Sequence, residues 1–317
     1  MVASEPFRFP GLLPENANLC TIEATVTTGL EAVAAEECSK KFETNVMRTR
    51  GRIGFDIEID KVKEVLELKC IDNVSVLIGE VENIKFKETK EECLQQIQDT
   101  FTLFDWRKGL LVWSKMTDFD IALSENVEDL SKMISGEKEE LSFRVTCTRV
   151  GQKHKFQSPD AGKVMGAIVN DTFGWKVDLT AFNIEVLLNI CGNYIYIGLS
   201  LVKESLHKRN LHYFGRATLR PTISHCMLRL ACIESGDVVC DPVCGSGSIV
   251  VEGILNWPNA FHLGGDIHDV AYNRTKQNID ALKSQKCLPV NIFHWDATRL
   301  PMLDNSIDAI VTDLVIN

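Results

Sequence analysis

The sequence predicts an α/β protein of three units: a ferredoxin-like α+β domain, a second α+β domain, and a doubly wound parallel sheet. Three observations carry this. Strands and helices alternate from residue 21 to about 104, a second strand–helix–strand run begins at Leu141, and beyond Asp237 short apolar strands alternate with helices and deliver acids. A chain of 317 residues suffices for two or three such domains.

In the first unit, residues 21–27 alternate apolar and polar and predict a strand. Thr28 is placed to cap the helix that follows, whose apolar stripe is Leu30, Val33, Ala34 and Cys38. Residues 52–59 predict a strand, 61–68 a helix, 74–81 a strand and 90–104 a further helix. Residues 117–140 are acidic, are interrupted by Ser135-Gly136, and predict an exposed connection.

In the second unit, Leu141, Phe143, Val145 and Cys147 share one face of a strand, and Ser142, Arg144, Thr146 and Thr148 the other. A basic turn follows. Ser158 is expected to cap a helix with Pro159 at its first position and Val164, Met165, Ile168 and Val169 inside. Strands at 184–190 and 194–202 close the unit, and Pro221 opens a helix to Leu230.

The net charge of −10 conceals a basic block. Residues 1–140 carry 17 Lys+Arg against 28 Asp+Glu, residues 141–220 carry 11 against 5, and residues 221–317 carry 6 against 11. A local patch, not bulk charge, attracts phosphates; chance fluctuation over eighty residues is the alternative account of the block. No run of eighteen uncharged apolar residues exists, so no membrane span is expected. The N-terminus lacks the basic start and apolar core of a signal peptide. The 11 cysteines are scattered, with no pair of clusters for zinc, so no metal site is expected. They read as reduced core residues of a cytoplasmic protein, with the nucleus as the alternative.

The run Val238-Val239-Cys240-Asp241-Pro242-Val243-Cys244-Gly245-Ser246-Gly247-Ser248 ends a strand in an acid and turns through glycines into a helix. Glycine permits close approach of a ligand, and the new helix presents free N–H groups. A phosphate-binding loop would need Lys-Ser/Thr where Ser248-Ile249 stands, and a dinucleotide loop a third glycine or alanine where Val250 stands. An acid before the loop suits S-adenosylmethionine, whose ammonium a carboxylate can pair. Asp266, 25 residues after Asp241, can accept both ribose hydroxyls. Asp296 ends the third strand and suits an adenine amino group, or is simply a helix cap. Asp313 ends the fourth, on the sulfonium side.

Four ordered strand-end acids resemble the class I methyltransferase fold. The segments DPVCGSG, GGD, HWDATRLP and VDAIVTDL, with FRVTCTRVGQKHKF, FNIEVLLNI, SLHKRN and GRATLRPTISHCMLRLA upstream, resemble the THUMP-domain tRNA guanine-N2-methyltransferases over nearly the whole chain. The resemblance implies an N-terminal ferredoxin-like domain at 20–110, a THUMP RNA-binding domain at 111–205 and a methyltransferase domain at 206–317. It implies methylation of a guanine amine in the tRNA acceptor stem, at position 6. It also implies S-adenosylmethionine as donor, no metal, and a small zinc-containing activator subunit as partner. Asp241, Cys244, Gly245 and Gly247 match the cofactor loop, Asp266 the ribose contact, Asp296 the adenine contact and Asp313 the catalytic motif. The family reads Asp-Leu-Pro-Phe-Gly there, whereas this chain reads Asp313-Leu314-Val315-Ile316-Asn317. The resemblance therefore implies a truncated domain of little or no turnover.

Arg144, Arg149, Lys153, His154 and Lys155 are the candidates for phosphate contact, which positions RNA without reading sequence; a solvated strand face and turn is the alternative. A non-catalytic tRNA-binding variant is the second functional reading. A DNA adenine methyltransferase is disfavoured by the THUMP-like half.

Overall fold

A computed structural model describes residues 18–101, 103–104, 106–117, 119, 141–151, 154–215, 217–283 and 288–314. The backbone divides into two compact units, one comprising residues up to 31, 38–67 and 73–203, the other 32–37, 68–72 and the chain from 204 onward.

The chain opens with β1 (Leu19–Thr25), α1 (Glu31–Phe42), whose residues 32–37 belong to the second unit, β2 (Val46–Thr49), β3 (Arg52–Glu58) and β4 (Asn73–Val81). Their order is β2-β3-β1-β4 with antiparallel neighbours, which is the ferredoxin-like arrangement. The expected helix between β3 and β4 is a 3-10 helix, Ile59–Glu67, because its buried residues Ile59, Val62 and Val65 recur every third position and eclipse one another. The helix expected at 90–104 is α2 (Lys90–Phe101), and α3 (Trp106–Met116) follows it. Strand β2 and helix α3 were not anticipated.

The unit continues with β5 (Ser142–Val150), α4 (Ser158–Phe173), β6 (Lys176–Val177), β7 (Ile184–Cys191) and β8 (Tyr194–Ser200). Strand β5 pairs parallel with β6 and β7, and β7 pairs antiparallel with β8. Strand β8 then pairs antiparallel with β4, so eight strands form one sheet, β2-β3-β1-β4-β8-β7-β5-β6. The two expected α+β domains are thus halves of a continuous sheet, and the proposed boundary at 110/111 falls within α3. An aromatic chain stiffens the core: Phe101 and Trp106 lie 4.8 Å apart by ring centroid, Trp106 and Phe173 5.5 Å, Phe173 and Trp175 4.3 Å.

Two caps differ from expectation. Leu30, not Thr28, precedes α1, and the first-turn Glu31 takes the free amides of Gly29 and Gly51. Gln157, not Ser158, is the N-cap of α4, in a reciprocal pair with Asp160; Pro159 still fits the first turn. The expected acidic connection lies almost wholly outside the described residues.

The second unit holds α5 (Pro221–Leu230), β9 (Val238–Asp241), α6 (Ser248–Asn256), β10 (Phe261–Asp266), α7 (Asp269–Lys283), β11 (Val290–His294) and β12 (Ala309–Ile310). All neighbours are parallel, in the order β11-β10-β9-β12. The first strand lies between the second and the fourth, so the order reverses at β9, and the strand ends there open the crevice in which such sheets bind ligands. Val250, Val251, Ile254, Ile279 and Val290 form one apolar cluster, and Leu228, Val239, Ile249 and Val311 another.

Candidate active site

The strand ends position four acids, but in different ways. Asp241, at the end of β9, is buried, and its Oδ1 accepts hydrogen bonds from the Thr312 hydroxyl at 2.8 Å and the Val243 amide at 3.3 Å. Burial pushes its carboxyl up to about 7, against those two hydrogen bonds and with help from the nearby charges of Asp266 and Asp313. A cation brought to this carboxylate would reverse the effect of burial.

The turn after β9 has Gly245 at φ +57° and Gly247 at φ +81°, both in the left-handed region. A Cβ on Gly247 would stand 2.7 Å from the Thr275 methyl of α7. Thr275 in turn donates to the Gly245 carbonyl at 2.9 Å. The loop is pinned by Cys244 N–H to the Gly265 carbonyl at 2.9 Å and by the Trp295 indole N–H to the Pro242 carbonyl at 2.9 Å. The Cys244 thiol is buried, and burial pushes its pKa up to about 12. It is neutral, lies 3.6 Å from the Thr275 hydroxyl and lines the cavity at Asp241 and Asp313.

Asp266, at the end of β10, accepts from the Gly245 amide at 3.0 Å and the His268 amide at 2.9 Å, one on each oxygen. These bonds fix the carboxylate plane against the loop and leave lone pairs for a diol. Asp296 is exposed, and its Oδ1 caps the 3-10 turn Ala297–Arg299 by accepting from the Thr298 amide and hydroxyl at 2.9 and 2.8 Å. The helix-cap alternative therefore describes this carboxylate. Asp313 is exposed and lines, with Asp241, Gly245, Ile249, Ala217 and Leu219, a cavity of about 50 Å³. Asp266 and Asp296 are not part of that lining.

Several supporting residues escaped the sequence reading. Thr312 holds Asp241, and Trp295 braces the loop. The Ser246 hydroxyl accepts from the Gly215 amide at 3.0 Å and lies 2.9 Å from the Thr218 hydroxyl, which seats the 215–219 segment on the site. Glu252 of α6 has no exposed surface and accepts from Arg209 at 3.1 and 3.2 Å and Asn210 at 2.7 Å. A polar residue beside each acid was the available signal, but nothing in its spacing singled it out.

The phosphate candidates do not form one surface. Arg144 is on the face of β5 away from α4, paired with Glu185 at 2.8 Å and stacked on Phe182 at 4.0 Å. It borders a polar cleft of about 310 Å³ with Arg52, Lys203 and Asn189. Arg149, five residues on, faces the opposite way. Its guanidinium contacts His154 Nδ1 at 3.4 Å and Gln157 at 3.3 Å, and its Nε is buried without a partner. His154 Nε2 is 2.7 Å from the Gly192 carbonyl, so the ring serves to hold the turn. Lys155 is exposed, and Lys153 lies outside the described residues.

Residues 208–314 match the RMKL-like methyltransferase domain family, and residues 122–200 the THUMP domain family. The chain is 34% identical over 369 residues to the tRNA (guanine(6)-N(2))-methyltransferase THUMP3 of Bos taurus, covering 93% of this chain and 73% of that one. The chain belongs to the THUMP-domain tRNA guanine-N2-methyltransferase family. A U6 snRNA (guanine-N(2))-methyltransferase of Mus musculus, THUMPD2, is 34% identical over a shorter span, 56% of this chain and 33% of that one. Among solved structures, TrmN from Thermus thermophilus superposes with a TM-score of 0.71 at 22% identity, over 92% of this chain and 78% of that one. The fold described above is that of the family, with the reversal at β9 and the strand-end acids in their expected order.

Proposed function

We propose that this protein transfers a methyl group from S-adenosylmethionine to the exocyclic N2 of a guanine in tRNA, at position 6 of the acceptor stem. The observation that carries the reading is the convergence of Asp241, Gly245, Ser246 and Asp313 on one cavity at the β9/β12 reversal. The donor set fits the cofactor: a buried carboxylate short of a cation, a left-handed glycine turn that leaves room for a ligand at the backbone, and an oriented carboxylate at the next strand end. When bound, S-adenosylmethionine supplies an electrophilic methyl carried on a sulfonium. Asp241 would pair the amino-acid ammonium, and Asp266 would hold the ribose diol. Asp296 would accept from the adenine amine with the oxygen that Thr298 leaves free. Asp313 would accept a hydrogen bond from the guanine amine, orient its nitrogen toward the methyl, and stabilise the positive charge that develops on that nitrogen as the N–CH3 bond forms and the S–CH3 bond breaks. The amine proton then passes to solvent, and S-adenosylhomocysteine leaves. Catalysis is chiefly positioning.

The tRNA assignment is favoured over U6 RNA by the strength of the likeness, 34% identity over 93% of this chain for a tRNA enzyme against 27% over 81% for a U6 enzyme. The cleft beside Arg144, Arg52 and Lys203 is the RNA surface that fits the fold. A small zinc-containing activator subunit completes the complex, in the cytoplasm. The test is methyl transfer from labelled S-adenosylmethionine to unmodified tRNA with that subunit present, with the product nucleoside identified by mass spectrometry. N2-methylguanosine at position 6, lost in Asp313→Asn, is expected. Label on another base, or calorimetry showing no cofactor binding to folded protein, overturns the reading.

A further inference from the structure

Within the second unit, Glu37 of α1, Cys70 of the 68–72 segment and His225 of α5 bring one ligand atom each to within 4.8 Å of one another. Cys70 and His225 are buried at 1% and 5% exposure, and the Cys226 thiol hydrogen-bonds with that of Cys70. His225 is held between two carboxylates. Its Nε2 lies 3.7 Å from Glu37 Oε1, and its Nδ1 lies 3.5 Å from Glu252 Oε2 without a hydrogen-bond partner.

A neutral imidazole has one N–H, so one nitrogen must present a lone pair to a carboxylate lone pair. Both gaps exceed a good N–H···O bond of about 2.9 Å. A cation between Nε2, Glu37 and Cys70 removes the conflict: Nε2 becomes a ligand, and Nδ1–H turns to Glu252. This is the carboxylate–histidine–metal relay that orients metal-bound histidines. Glu252 is already fixed by Arg209 and Asn210. Charges also balance. A divalent ion neutralises the Glu37 carboxylate and a Cys70 thiolate, as Arg209 neutralises Glu252, so the buried site carries no net charge.

We propose that Glu37, Cys70 and His225 bind one zinc ion per chain, with Cys226 beside the fourth position and Glu252 as the positioning carboxylate behind His225. Zinc bonds of about 2.0–2.3 Å set ligand separations near ~3.5 Å. The ligand atoms, now within 4.8 Å of one another, draw together on binding. Binding releases the Cys70 thiol proton to solvent, and the site joins three segments that are distant in sequence.

The test is metal content of the purified full chain, without any partner, after incubation with zinc and removal of the excess. One equivalent is expected by mass spectrometry, falling at least tenfold in Cys70→Ala and in His225→Gln but unchanged in Cys232→Ala, which alters an exposed cysteine. Should the first two variants fail to fold, the wild-type chain loaded with cobalt still decides: a thiolate-to-cobalt charge-transfer band with tetrahedral visible bands is expected. Substoichiometric zinc in the folded wild type, full zinc in Cys70→Ala, or cobalt spectra without the thiolate band each overturn the proposal and leave His225 as a packing residue between two carboxylates.

Discussion

Replacing Asp241 by Asn should make the cofactor-free protein more stable at alkaline pH while weakening its hold on S-adenosylmethionine. The carboxyl titrates at about 7 in the folded protein against an ordinary value of 3.8. The folded state therefore binds this proton more tightly than the unfolded state. The stabilisation is fully present below the ordinary value and is lost as pH rises through about 7. Between pH 6 and pH 8 the folded group goes from about one-tenth to about nine-tenths ionised while the unfolded group stays ionised. That is one unit of lost linkage, or about 1.4 kcal/mol. Asn keeps an acceptor for Thr312 and the Val243 amide but does not titrate. Urea unfolding of the two proteins at pH 6 and pH 8 should show the wild type losing about 1.4 kcal/mol more than the variant. The same ionisation governs the ligand, because only the carboxylate attracts an ammonium. Affinity for S-adenosylmethionine in the wild type should therefore rise about tenfold over this interval, whereas Asp241→Asn should bind weakly and flatly. Equal pH slopes in the two proteins would refute the buried-carboxylate reasoning.

Three further outcomes follow from the geometry. Gly247→Ala combines a left-handed φ with a clash against Thr275 and should lose about 1–3 kcal/mol in chemical unfolding, together with cofactor binding; a loss under about 0.5 kcal/mol means that the loop relaxes freely. Trp295→Phe leaves the Pro242 carbonyl without its donor and should cost about 1 kcal/mol, read in the same assay, with unchanged stability as the contrary result. In filter binding of tRNA against salt, Arg144→Gln should lower the slope by about one contact whereas Arg149→Gln should leave it and reduce stability; equal slopes for both would place the RNA elsewhere.

The strands and the order of acids were legible because each depends on local pattern. Asp241, Asp266 and Asp313 follow apolar runs that can only be buried strands, and Gly245 and Gly247 mark a turn that other residues strain to make. What was not legible depends on residues distant in sequence. The pairing of β4 with β8 turns two apparent domains into one sheet, and neither strand carries a mark of its partner. Arg144 and Arg149 looked like one basic patch by proximity, yet an odd spacing in a strand sends them to opposite faces. Glu37, Cys70 and His225 show no ligand spacing, because three separate elements bring them together. Gln157 rather than Ser158 caps α4 because its side chain and that of Asp160 satisfy each other's backbone, a reciprocity that residue preference alone ranks below serine.

The β4–β8 seam also bears on how the chain is made. Strand β4 emerges from the ribosome with its partner β8 still unsynthesised, since α2, α3, β5, α4, β6 and β7 all lie between them in sequence. At a translation rate of about 5–20 residues per second, the interval is on the order of 10 s. For that time the ferredoxin-like half can complete every pairing except the one along β4, whose row of amides and carbonyls is open to any other strand. The last strand of the second half thus finishes the first half. A nascent chain stalled before β8 should be the form that engages chaperones and aggregates, whereas one released after Ser200 should not.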